Sequence, residues 1–166
     1  MNTARRFYEA RVLVIPHGPS ALATEADMRE LGLDGVMTLH PPAADAGGST
    51  GHRLRPLANS GWAPPTTVDR LGDAVTGTDI VVLLTADLAE VDAAACHIAA
   101  EAARAKGAMI AALVIRPDPA GTAAGDTAMA ALRAAADMVV IVRGPGLAGA
   151  FLDVLRGGRR ETATAG

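Results

Sequence analysis

Hydrophobic positions along this chain come in blocks rather than singly. Short, nearly unbroken apolar runs rich in β-branched residues recur at 11–15, 35–40, 79–84, 109–115 and 138–142. Runs of that length are what strands covered on both faces require. Helix-length segments separate them. The spacing predicts a short helix over 23–31, stopped by Gly32. After residue 84, Leu88, Val91, Ala95, Ile98 and Ala102 recur at steps of three and four, one apolar stripe on a helix. Lys106 and Gly107 close that helix with a cation in its last turn and a residue free to leave the right-handed region. Further helices are predicted over 123–135 and 147–155. Thr66-x-x-Asp69 has capping-box spacing and predicts a helix running to about residue 75.

Strands joined through helices pair in parallel, with right-handed crossovers. The pattern therefore predicts an α/β fold: a doubly wound, mainly parallel sheet between two helix layers, three layers in all. One domain is expected over 11–156, with a flexible N-terminus at 1–10 and a disordered polar tail at 157–166. Residues 43–65 carry four glycines, three prolines and no period, so they read as one long loop, with a short edge strand at 52–55.

Composition sharpens this picture in two ways. Half the residues are apolar but only 2% are aromatic, so packing must rest on alanine and aliphatic side chains in close helix–sheet contact. A net charge of −3 offers nothing to a nucleic acid or an anionic membrane. Apolar runs all fall short of the roughly 20 residues a membrane span needs. A lone cysteine, Cys96, excludes an internal disulfide. A cytoplasmic protein is expected.

Ligands of open parallel sheets bind beyond the carboxyl ends of the strands, where strand order reverses. His17, Gly18 and Ser20 follow the first strand on that edge, His40 the second, and Asp87 the strand at 79–84. Glu90 and Asp92 lie on the same side, and His17 and Asp87 are expected to face each other. Histidine with carboxylates suits a divalent metal. Asp87-x-x-Glu90 also has capping-box spacing, and Asp92 adds negative charge near a positive helix end, so capping is preferred and no metal is assigned. Cys96-His97 is no nucleophile–base pair, because adjacent helical side chains point about 100° apart. In the long loop, Trp62 with Arg53 and Arg55 supplies the residue types of an interface anchor.

Several segments resemble, in order, the nucleotide-binding half of FtsZ, the bacterial tubulin-like GTPase. Leu33-Asp34-Gly35-Val36 is similar to that family's G-L-x-G-V step, and Thr78 to Ala86 to its A-D-M-V-F-V-T-A strand. Ile98 to Ala108 looks like its V-I-A-E-I-A-K-E-L-G-A helix end, Val114-Ile115-Arg116-Pro117 like V-T-R-P, and Ala136 to Val142 like V-D-T-L-I-V-I. The resemblance covers roughly 11–155. It implies a tubulin-type GTPase sheet, with GTP and magnesium beyond its carboxyl edge and Asn59-Ser60-Gly61 in place of a third phosphate loop.

The departures fall on the phosphate loops. Gly18-Pro19-Ser20-Ala21-Leu22 stands where the family has a run of glycines; proline lacks an N–H, and added Cβ atoms block close backbone approach. The family's G-G-G-T-G-T-G loop is replaced by 88–94, whose Glu90 and Asp92 would repel phosphate. Its asparagine-threonine-aspartate has become Pro42-Ala43-Ala44, and its acidic hydrolysis loop has no counterpart among these residues. Resemblance and departures together imply a degenerate relative without a cofactor, acting on a protein partner or as a homodimer. Alternatives are GTP binding, with hydrolysis completed by a partner, and a small-molecule or metal-dependent enzyme using the altered crevice.

Overall fold

The computed structural model describes residues 9–41, 51–115 and 123–157. The expectations for the two termini otherwise lie outside that set, but Ala10 is buried and its N–H donates to the Arg156 carbonyl at 3.1 Å. In chain order the elements are β1 (Val12–Pro16), α1 (Gly18–Glu30), β2 (Val36–His40), β3 (His52–Pro56), β4 (Thr66–Val68), α2 (Leu71–Ala74), β5 (Ile80–Thr85), α3 (Ala93–Lys106), β6 (Met109–Ile115), α4 (Ala123–Ala135), β7 (Met138–Val142) and α5 (Pro145–Leu155). A 3₁₀ turn at Leu88–Glu90 precedes α3.

The strands form one sheet in the order β4-β3-β2-β1-β5-β6-β7. From β2 to β7 every pairing is parallel, with Val12 opposite both Val36 and Ile80. β3 and β4 extend the β2 side as an antiparallel hairpin. The α/β architecture and mainly parallel sheet are as the periodicity predicts. Strand order reverses between β1 and β5, because β1 is followed in sequence by β2 on one side and flanked by β5 on the other. That is the switch point at which a crevice opens.

Alternation along the strands divides the core in two. Leu13, Ile15, Met37, Leu39, Val81 and Leu83 face α2, α3 and α4. Val12, Val14, Val36, Val82 and Leu84 face α1 and α5. Helix α3 rests on the sheet through Cys96, Ala99, Ala100 and Ala103, small side chains that let its backbone come close, as an aromatic-poor composition demands.

Four local expectations are corrected. α1 starts at Gly18 rather than 23, because Pro19 fits the first helical turn, where its missing N–H is not needed. Thr66 to Val68 is a strand and not a helix cap: pairing with β3 satisfies its backbone, and α2 is a single turn beginning at Leu71. The buried stripe of α3 is turned from the expected one, leaving Ile98 47% exposed, because Asp92 caps the helix and starts it at Ala93. The strand within 43–65 exists, extends to Pro56 and is not an edge, since β4 covers it. Residues 42–50 lie outside the described set.

Candidate functional site

The carboxyl ends of β1 and β2 open into a cleft of about 360 Å³ on the α2–α3 side of the sheet. Its walls are mostly apolar: Ile15, Pro16, Leu39, Pro41, Leu71 and Ala95, with Pro19 and Leu22 from α1. His17, His52, Glu90 and Asp92 supply the polar groups.

Glu90 decides what this cleft can accept. It leaves the 3₁₀ turn and crosses to the first turn of α1, where one carboxylate oxygen accepts the Ser20 N–H at 2.9 Å and the other the Ser20 hydroxyl at 3.1 Å. The N-terminal N–H groups of a helix are the usual seat of a phosphate. Here the chain's own carboxylate sits there. Gly18 allows the approach: its φ is +82°, and a Cβ at that position would lie 2.5 Å from the Glu90 Cβ. Asp87 accepts from the Ala89 N–H at 2.9 Å and caps the 3₁₀ turn. The capping-box spacing is thus half used, with Glu90 spent on another helix.

His17 is 4% exposed and, as N-cap of α1, makes no side-chain capping bond. Its Nδ1 accepts the Asp92 N–H at 3.3 Å. In a neutral ring this leaves the proton on Nε2, which points at the Cys96 sulfur 3.9 Å away. Burial lowers the His17 pKa below its ordinary 6.5, against a smaller opposing pull from the Asp92 carboxylate. The ring is therefore neutral near pH 7. Burial, reinforced by Asp92, pushes the Cys96 thiol up to about 11, so it is no nucleophile. Asp92 itself caps α3 through the Ala95 N–H at 3.1 Å. With a neutral His17 imidazole, the carboxylates of Glu90 and Asp92, and no lysine or arginine among its lining residues, the cleft disfavours anions.

His17, Gly18, Glu90 and Asp92 thus line one cleft, with Ser20 joined to it through Glu90. Asp87 is exposed, is not among the lining residues and does not meet His17, whose neighbours are Asp92 and Cys96. His40 points to the opposite face of the sheet. Asn59, Ser60 and Gly61 are at the wrong edge altogether: the Asn59 N–H donates to Asp34 at 3.1 Å, and the Ser60 carbonyl accepts from Gly35, just before β2 begins. Antiparallel β3 has carried the chain back to the amino ends of the parallel strands, so these residues cannot reach the cleft. Trp62 is tied down at that same end. Its indole N–H donates to the Val12 carbonyl at 2.9 Å and its ring packs, half-buried, against the core. It is a strut rather than an open interface anchor. Arg53 is exposed, and Arg55 holds a buried Nε with no partner among the described residues.

One further cluster escaped the sequence patterns. Glu25 of α1, 1% exposed, accepts from Thr38 at 3.1 Å and Arg29 at 3.2 Å, and lies 2.7 and 2.9 Å from the His40 Nε2. Two signals in the chain point to it. Glu25 falls in the buried series Ala21, Glu25, Met28 once α1 begins at Gly18, and Thr38 and His40 are polar at the inward parity of a buried strand. The cluster joins α1 to β2 and does not line the cleft. Among the described residues, no group of three or more histidine, cysteine or acidic side chains is placed to hold a metal. No helix among them is long and apolar enough to cross a membrane. Comparison with protein-family models finds no match for this chain, and comparison with curated proteins finds none either.

Proposed function

We propose that this chain is a degenerate relative of the FtsZ-like GTPases that does not turn over GTP and serves as a binding, scaffolding or regulatory subunit. Glu90 carries the reading. A carboxylate bonded to the first turn of α1 takes the position and the donors a nucleotide's phosphates would need. Pro19 removes a further N–H from that turn. Descent from the FtsZ family rests on the succession of sequence motifs between Leu33 and Val142, since the doubly wound architecture is shared by many unrelated functions. GTP binding would require Glu90 to leave Ser20, and a partner would then have to complete hydrolysis.

A second reading has its own observation, the mostly apolar cleft at the carboxyl ends of β1 and β2, beside the switch point. Its carboxylates fit a small ligand with an apolar body and a cationic or hydrogen-bond-donating end. Melting curves with and without millimolar GTP and magnesium test the first reading, and no shift is expected. A ligand at 100 times its Kd adds about 2.7 kcal/mol, worth several degrees in a domain this size. A reproducible rise of that size with GTP and not with ATP would overturn the proposal.

A further inference from the structure

The two edges of the sheet are built differently. β4 is a three-residue strand, Thr66–Val68, with both threonines exposed, a short polar margin of the kind that discourages pairing. β7 at the other edge is Met-Val-Val-Ile-Val, with no proline, glycine or charge, and it leaves Met138 38% and Ile141 55% exposed. No described residue pairs with its outer side, and an apolar strand so placed is a template for another strand. The Asp137 N–H turns inward to the Ile110 carbonyl. Within the ladder the groups alternate. The Met109 N–H of β6 donates to Asp79 beside β5, so Ile110, Ala112 and Val114 face β7 and meet Met138, Val140 and Val142. Val139 and Ile141 therefore present their N–H and C=O groups outward.

From this edge we infer that the protein is a two-fold symmetric dimer, a second copy pairing antiparallel through β7 with the axis at Val140. Charge picks the occupant and the register. Centred on Val140, Val139 faces Ile141 of the other copy, and each of these outward residues both donates and accepts one backbone hydrogen bond. Asp137 and Arg143, the residues flanking the strand, then meet as opposite charges at both ends. A shift of one residue either way breaks that match. Ile141 lies against Val139 of the other copy, which covers the most exposed side chain of β7.

The neighbouring helix independently fits the same axis. Gly149 of α5 packs beside Leu31 of α1, so the flank of α5 turned away from α1 carries Leu147, Phe151 and Val154 at helical spacing. Leu147 is 55% and Val154 72% exposed. α5 packs on α1 and on β6, and β7 is the strand beyond β6, so the flank turned away from α1 lies toward β7. A two-fold axis perpendicular to the sheet brings the two α5 flanks together on one face and buries a stripe that otherwise stands in water. This interface is independent of what the cleft binds.

Sedimentation of the full chain from 1 to 100 μM should give a species of twice the 16.8 kDa chain mass. Ile141→Lys and Arg143→Glu should each weaken the dimer at least 10-fold, and Val154→Glu should act in the same direction. Thermal melts of the diluted monomers should match the parent, because all these side chains are exposed. Ile98→Lys, an exposed site on α3, is the control and should leave the dimer intact. A monomer at 100 μM, a larger closed ring, or a dimer insensitive to both Ile141→Lys and Arg143→Glu would overturn the inference.

Discussion

Replacing Glu90 with alanine tests whether the chain carries its own anion at the head of α1. The carboxylate makes two bonds there, to the Ser20 N–H at 2.9 Å and to the Ser20 hydroxyl at 3.1 Å, in a part-buried setting. Hydrogen bonds to a charged group contribute about 1.5–3 kcal/mol; partial exposure holds the pair together near the bottom of that range. Charge at a helix N-terminus adds about 0.3–1 kcal/mol. Glu90→Ala should therefore cost about 2–3 kcal/mol. At about 2–4 °C per kcal/mol for a domain of this size, the melting temperature falls by about 4–12 °C. Glu90→Gln keeps an acceptor and the shape while losing the charge, and should cost less than the alanine variant. Calorimetry in an anion-poor buffer reads both. Adding sulfate should then recover more stability in Glu90→Ala than in the parent, since the vacated amides take a mobile anion in place of the tethered one. General salt stabilisation acts on both proteins and cancels in the comparison. A cost for Glu90→Ala below about 0.5 kcal/mol, the usual range for surface substitutions, would refute the contact, and the occluded phosphate seat with it.

Trp62→Phe removes the donor to the Val12 carbonyl and should cost about 1–2 kcal/mol, and Trp62→Ala, which also empties half-buried volume, about 3 kcal/mol, both read by urea melts. A change below about 0.5 kcal/mol in Trp62→Ala would return this residue to the class of free surface anchors. His17, held neutral by burial, has a folded pKa below the ordinary 6.5, so as pH falls the unfolded chain takes up its proton first. Its contribution to stability is full above about pH 6.5 and is lost as pH falls through the folded value; His17→Gln should flatten that decline in melts between pH 7.5 and 5, and an unchanged slope would contradict it.

The parts of this molecule that the sequence made legible are those where local chemistry and tertiary demand agree. An unbroken run such as Val81 to Leu84 has one comfortable home, a strand covered on both faces, and it is there. Gly107 adopts φ +73° because the end of α3 needs a left-handed residue, and glycine fills that place at little cost. Illegible parts are those where two local solutions were nearly equal and a distant residue chose. Thr66 to Val68 could cap a helix or pair with a strand; β3, itself placed by β2, settles it. That one choice has consequences for the site. An antiparallel β3 returns the chain to the amino ends of β1 and β2, so Asn59 bonds to Asp34, Trp62 bonds to Val12, and neither approaches the cleft. Spacing along the chain carries no sign for strand direction, so residues read as a third phosphate loop ended at the opposite edge. Glu90 is the same lesson on a smaller scale. Its position three after Asp87 fits a local capping box, yet its carboxylate reaches 70 residues back to Ser20. The sequence states that an acidic residue stands near a helix start. Only the folded sheet, by bringing the ends of β1 and β5 side by side, determines which helix it serves.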